Sequence, residues 1–461
     1  MNPIKTIFEP FKIKSVEPLS ILTRDERRRV LQESFYNLFS IPARFVTFDL
    51  LTDSGTSAMS SAQWAAMMVG DESYAGSDSF FRFAKTIEDL TGLPHVIPTH
   101  QGRAAEALLC RALLKPGRRV LGNTQFDTTR ANIESAGGIS VDLPSRESED
   151  SLSNSPFKGN VDLEKLEAHL KKHSADVAFF IMTVTNNSIG GQPVSMENIR
   201  QTKKILDRYR VPLFLDAARF SENAYFIKVR EPEFSQKPVI AIAKEMFSYA
   251  DGVLMSAKKD AFANIGGFLA VKDESLALQL RQLMVITEGF PTYGGLAGRD
   301  LDAISVGLNE IVDENYLSYR TRSVEYFGQG LESAGFKVVK PFGGHAVYID
   351  AGASLPHLKQ KYYPAQALSV ALYEHVGLRS VEVGSIMFGR LNEETGEEEF
   401  ASKELVRLAM PRRVYTQSHV DYMIEAAGNA FAEFSDLPGY KIEYQPKYLR
   451  HFTARYSQIK F

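Results

Sequence analysis

A single cysteine, Cys110, stands among 461 residues, which forbids an intrachain disulfide and any thiolate-only metal cluster and points to a reducing compartment. It lies inside the apolar run AEALLCRALL, so it reads as a small core residue. No apolar run approaches the roughly 18 residues that crossing a bilayer takes. The longest, Val177-Ala178-Phe179-Phe180-Ile181-Met182, stops far short. The opening MNPIKTIFEPFKIKSV puts lysines and a glutamate where a secretion signal needs an apolar stretch, so a cytoplasmic protein is the expectation. Charge of one sign is also missing: 53 Lys plus Arg stand against 56 Asp plus Glu, and a net −3 implies no broad attraction to nucleic acid or an acidic membrane. There is no low-complexity tract, heptad run or internal repeat, which excludes coiled-coil and solenoid architectures. There is no GxGxxG at a strand-helix turn either, which disfavours a nicotinamide enzyme.

What is present is a packing composition. Hydrophobic residues make up 44%, with 30 Phe and 19 Tyr, enough for a sizeable core. From about residue 85 to 275, short apolar runs (HVIPTH, RRVLGN, ISVDLP, VAFFIMTV, VPLFLDAA, GVLMSA, GGFLAVK) alternate with helical stretches such as 103–114, 163–173 and 196–209. That alternation predicts an α/β domain with a mostly parallel sheet, helices on both faces, and ligands beyond the carboxyl ends of the strands. The last third changes texture. HAVYID, LRSVEV and LVRLAM read as strands, and 365–375 and 420–431 as helices, in a smaller α+β domain. The expected boundaries are 1–55 for an N-terminal segment joining the small domain, 56–325 for the large domain and 326–461 for the small one. The Gly- and Pro-rich TEGFPTYGGLAGRD reads as a loop crossing between the two parts.

Two adjacent lysines, Lys258 and Lys259, follow the strand that ends in Ser256. At the ligand edge of a sheet, one could carry a Schiff base and the other neutralise a phosphate, although such a pair alone is more often a solvated basic turn. Upstream, VPLFLDAARF ends in Asp216, with Arg219 three residues on. A pyridoxal phosphate site needs a carboxylate at the ring nitrogen to keep it protonated, and a strand with aspartate followed by a strand with lysine is the order of the large aminotransferase-type fold. PTHQGRAAEALL reads as strand, turn and helix, placing Gln101, Gly102 and Arg103 at a helix N-terminus suited to an anion. Phe126, in QFDTTR, is a candidate to lie against a flat ring.

With EPFKIKSVEP, DLLTDSGT, GDESYAGS, GGQPVS, ENAYFIK, SAKKD, GGHAVYIDA, YPAQAL, VRLAMPRRVYTQSH and LRHFTAR, these segments make the chain resemble the pyridoxal-phosphate-dependent β-eliminating lyases nearly end to end. The resemblance implies an aminotransferase-type (fold type I) large domain. It implies that Lys259 carries the cofactor and then removes and returns the substrate α-proton. Asp216 would pair with the ring nitrogen, Arg219 would lie near the ring oxygen, and Phe126 would stack on the ring. Gln101, Gly102, Arg103, Ser256 and Lys258 match the family's phosphate binders. Arg407, with Thr52, Ser54 and Asn187, matches the binders of the substrate α-carboxylate. Tyr74 matches a tyrosine that assists the leaving group from a neighbouring subunit. A monovalent cation, K⁺ being preferred, is implied at Glu72, Asn264 and the carbonyl of Gly55, and the assembly implied is a homotetramer.

Within the family, indole-releasing and phenol-releasing members differ at a few positions. Where the phenol-releasing members carry an arginine and a threonine, this sequence has Val383 and Asp127, and His451 stands where they carry phenylalanine. An apolar Val383 suits an indole edge but would leave a buried phenolic oxygen without a charged partner. Asp127 can accept from the indole N–H, which is only a donor. The expectation is therefore cleavage of L-tryptophan with water to indole, pyruvate and ammonium, with tyrosine phenol-lyase activity or another leaving group as the alternative. Ala104 after QGR, NIGGF after SAKKDAFA, and the short LLKPGRRVLGN keep that alternative open.

Overall fold

The structure is a computed structural model that describes residues 7–392 and 395–459. It divides into two compact units: a larger one of residues 54–150 and 155–320, and a smaller one of residues 1–53, 151–154 and 321–461.

The larger unit is built on a seven-stranded sheet: β1 (His95–Thr99), β2 (Arg119–Gly122), β3 (Ile139–Asp142), β4 (Val177–Thr183), β5 (Leu213–Asp216), β6 (Gly252–Ser256) and β7 (Gly267–Val271). Its order is β1-β7-β6-β5-β4-β2-β3. Only β7 runs against its neighbours; the other pairings are parallel. Each of the seven apolar runs becomes one of these strands. In the inner strands both faces are buried, which is why their runs are continuous rather than alternating, while the edge strand β3 is only partly covered. Along β4, Phe180 and Met182 pack into one core while Phe179 and Ile181 pack into the other. Helices Gly102–Leu113 and Glu274–Thr287 cover the second face, and Met196–Arg208, Phe220–Arg230 and Val239–Ser248 the first. Cys110 is buried in the second core, where burial pushes its thiol up to about 12, so it is inert packing.

TEGFPTYGGLAGRD does not cross between the units as expected. It lies wholly inside the larger one, where Gly294 passes so close to β1 that a Cβ there would stand 2.2 Å from the Pro98 carbonyl oxygen. The Gly and Pro residues serve close backbone approach rather than a hinge.

In the smaller unit, a three-stranded antiparallel sheet places β10 (Leu405–Ala409) between β8 (Ala346–Asp350) and β9 (Val381–Val383). Helices Pro364–Val376 and Gln417–Phe431 supply Leu368, Leu372, Met423 and Ala427 to its core. LRSVEV, expected as one strand, is split at Ser380. Leu378–Arg379 pairs in parallel with Phe48–Asp49, while Val381–Val383 turns to pair with β10. Among the described residues no helix is long and apolar enough to cross a membrane.

Candidate active site

Strand β5 ends at Asp216 and the adjacent β6 ends at Ser256, with Lys258 and Lys259 just beyond. Burial raises the pKa of Asp216, while the charge of Lys259, the Ala218 N–H at 3.2 Å and the charge of Arg219 pull it back. Asp216 and Lys259 therefore act on each other directly, as the order of the two strands predicts. Arg219 is buried and forms the N-cap of Phe220–Arg230, its own N–H donating to the Val184 carbonyl at 3.3 Å.

An anion cup lies beside them. Gln101 is the N-cap of Gly102–Leu113 but makes no side-chain capping bond, so the helix start is left for another acceptor. A Cβ on Gly102 would stand 2.7 Å from the Ser256 Cβ, so only glycine lets the helix start reach the end of β6. Burial and then the nearby charge of Arg103 lower the pKa of Lys258. A partly buried lysine beside the charge of an exposed arginine is a setting that an anion would relieve.

Phe126 caps Asp127–Ser135 and is half-buried; Asp127 is that helix's first residue and is buried. Asn187 opens a short turn after β4 and is 5% exposed. Ser54 opens the larger unit, next to Gly55. The Gly55 N–H donates to the Lys258 carbonyl at 2.7 Å, and Asn264 Nδ2 donates to the Gly55 carbonyl at 3.1 Å. Two of the three expected cation ligands are thus neighbours. Glu72 is bonded elsewhere: its carboxylate accepts from the Gly298 N–H at 2.9 Å and the Arg299 N–H at 3.2 Å, at the start of Gly298–Glu310. Tyr74 is 70% exposed, and its hydrogen bond with Tyr293 raises its pKa.

Thr52, Arg407, Val383 and His451 belong to the smaller unit. Arg407 lies in β10, paired with Val381 and Tyr348, and its Nη2 donates to the Leu51 carbonyl at 3.1 Å, one residue before Thr52. Val383 is 3% exposed in a small apolar cluster with Leu51, Tyr348 and Leu405, against which Phe39 packs. The His451 ring lies edge-on to Phe39 at 5.7 Å and against Phe452 at 4.0 Å. All four residues therefore belong to one neighbourhood of the unit.

Sequence reasoning missed four residues, Glu106, His100, Asp53 and Arg412. Glu106, one turn into Gly102–Leu113, is buried and accepts from Thr129 Oγ1 at 3.0 Å and Asn132 Nδ2 at 3.1 Å. Burial, reinforced by the charge of Asp216, pushes it up to about 7. The available signal was a lone glutamate on an otherwise apolar helix face. His100 pairs through Nδ1 with Glu288 and meets Gln101 Nε2 at 2.9 Å through Nε2, which orients the Gln101 side chain from the TEGFPTYGG segment. Finally, Asp53 of DSGT and Arg412 of MPRR form a completely buried ion pair at 2.9 Å.

These residues fit pyridoxal phosphate. There is an uncapped helix start with two neighbouring cations for the phosphate, a half-buried carboxylate for the ring nitrogen, and a lysine within electrostatic reach of that carboxylate for attachment. Among the described residues no three His, Cys, Asp or Glu side chains converge as a metal site.

Comparison with known proteins agrees with this chemistry. The family described as beta-eliminating lyase matches residues 49–426. A tryptophanase of Salinibacter ruber is 56% identical over 97% of this chain and 95% of its own length. A tyrosine phenol-lyase of Symbiobacterium sp. is 48% identical over 98% of each. In structure, the chain is similar to the Sphingomonas wittichii serine palmitoyltransferase, with a TM-score of 0.57 over 85% of this chain and 88% of that one, at 13% identity; that likeness speaks to fold alone.

Proposed function

The chain belongs to the beta-eliminating lyase family, and from that premise we propose that it cleaves L-tryptophan with water to indole, pyruvate and ammonium, using pyridoxal phosphate. The observation that carries the choice of substrate is Val383, an apolar side chain buried among apolar neighbours where a phenol oxygen would need a charged one. The greater identity to a tryptophanase than to a tyrosine phenol-lyase supports the same reading.

When bound, the cofactor supplies an electron sink for the pair left by the substrate Cα–H bond. Asp216 would hold the ring nitrogen protonated, the charges of Lys259 and Arg219 opposing the upward pull that burial exerts on its pKa. Gly102, Ser256, Lys258 and Arg103, with Gln101 oriented by His100, would hold the phosphate. Phe126 would cover the ring. Lys259 Nζ, beside Asp216, is the base that takes the α-proton and later returns a proton. Arg407, fixed by the Leu51 carbonyl beside Thr52, would fork onto the α-carboxylate, while Ser54 and Asn187 serve as hydrogen-bond partners. Asp127 accepts from the indole N–H, and His451 and Val383 give the leaving group an aromatic and apolar setting. Tyr74, exposed in the single chain, would serve a neighbouring subunit as acid in a homotetramer. A potassium ion on the Gly55 carbonyl and Asn264, joined by Glu72 once it leaves its bonds to Gly298 and Arg299, and a cytoplasmic location, complete the reading.

The test is pyruvate release by the cofactor-loaded protein in potassium buffer with L-tryptophan and L-tyrosine side by side, identifying the aromatic product. Indole in preference is expected, and Lys259→Ala is expected to remove both the visible cofactor absorbance and at least about 10³-fold of the rate. Phenol in preference would overturn the substrate assignment.

A further inference from the structure

Two glutamates outside the assigned site are buried within the smaller unit on either side of Gly384, the residue after Val383: Glu382 is 4% exposed and Glu404 5%. The point where a Cβ on Gly384 would stand lies 2.7 Å from Glu382 Oε1 and 2.7 Å from Glu404 Oε2, so the two carboxyl groups face one small gap. Their other contacts hold the turn that follows. Glu382 accepts from the Ile386 N–H at 3.0 Å and the Met387 N–H at 2.9 Å; Glu404 Oε1 accepts from the Ser385 N–H at 3.2 Å, from the Ser385 hydroxyl, and from Gln360 Nε2 at 3.2 Å. Glu404 Oε2, the oxygen turned to the gap, is buried without a hydrogen-bond partner. Two ionised carboxylates buried so near each other repel, and a proton held by the pair relieves that repulsion.

Tyr363 and Tyr456 both lie within electrostatic reach of Glu382, and Arg450, paired with Glu398, lies within reach of both tyrosines. Arg450 is bound to Glu398 and donates to the Ser385 carbonyl and to the Ile386 carbonyl at 2.9 Å. It thereby ties the same turn to its own neighbour, His451, which lines a small cavity together with Glu382, Ile386 and Phe39.

We propose that Glu382 and Glu404 share one proton across Gly384, and that this pair is a positioning device for leaving-group discrimination, holding the 383–388 turn and, through Arg450, the turn carrying His451. The inference rests on the reading that Val383 and His451 face the leaving group. Burial, then the charge of Glu404, pushes Glu382 up to about 8, and burial raises Glu404 as well. The proton is therefore held at neutral pH and lost above about 8.

The experiment measures kcat/KM of the holoenzyme for L-tryptophan and for S-methyl-L-cysteine, which has no aromatic leaving group, from about pH 7 to about pH 9. In the native protein the ratio of the two should fall about tenfold across that range. In Glu404→Gln, whose amide keeps a permanent hydrogen in the gap, the ratio should stay flat, and Glu382→Gln supplies a second variant. A native ratio that does not change with pH overturns the proposal without any variant, as does an undiminished fall in a folded Gln variant. Failure of the underlying reading shows itself separately, as unchanged tryptophan turnover in Val383→Arg with Asp127→Thr, whatever the pH ratio does.

Discussion

At the scale of single residues, the proposed choice of leaving group rests on a few side chains whose chemical type is visible in the sequence and whose setting is not. Val383 and Asp127 could be set against an arginine and a threonine by eye, but the burial that makes a missing charge consequential belongs to the folded unit. Val383→Arg combined with Asp127→Thr is expected to lower kcat/KM for tryptophan by about 10²-fold, checked by indole release under steady-state conditions. Glu106 yields a second expectation. Its folded pKa, about 7, lies above the ordinary glutamate value, so its proton stabilises the fold fully below the unfolded pKa, and that contribution is lost as pH rises toward 7. Glu106→Gln should flatten the decline in stability across this window, by an amount on the order of 3 kcal/mol at most, read from denaturant unfolding at several pH values. A parallel decline in the variant would show that the carboxyl is not the source.

At the scale of elements, the inner strands of the larger sheet were legible because burial on both faces imposes unbroken apolar runs. The split of LRSVEV was not, because its two halves pair with partners far apart in sequence, Phe48–Asp49 and Leu405–Ala409, and no local property of six residues records that. The TEGFPTYGG segment was misplaced for a related reason. Gly and Pro announce a turn, but only the packing of Gly294 on Pro98 and of Glu288 on His100 says what the turn serves. The helix start at Gly102 carries the clearest element-level expectation. Gly102→Ala forces a Cβ onto the Ser256 side chain and backbone, so the helix must retreat from β6. Affinity for pyridoxal phosphate should drop by about tenfold or more, measured by equilibrium dialysis, with the far-ultraviolet circular dichroism unchanged.

At the scale of the whole molecule, one chain exposes apolar residues that water would not favour. Trp64 is 55% exposed, Met68 86%, Val69 73% and Phe81 58%, clustered in and just after Ser61–Met68 and in Asp78–Thr91, the helices that flank Tyr74. The proposed homotetramer, with a second copy covering this surface, would account for both the exposure and the outward Tyr74. Because Trp64 is the single tryptophan, it reports the assembly. The substrate-free native protein should emit at the short wavelength of a buried indole and shift to longer wavelength on dilution to monomers, in step with sedimentation. An exposed-type emission from the assembled protein would place the interface elsewhere.

Fold class, family and the residues proposed for the chemistry, Lys259, Asp216, Gly102 and Arg407, were readable along the chain because local signals carry them: apolar runs, strand ends, and motifs of fixed spacing. Tertiary structure decided what depends on burial and on partners distant along the chain: the proton held by Glu106, the Asp53–Arg412 pair, and the two glutamates that meet across Gly384. A carboxyl group reads the same in a sequence whether it is solvated or enclosed. Its charge is settled only by the neighbours that folding brings to it.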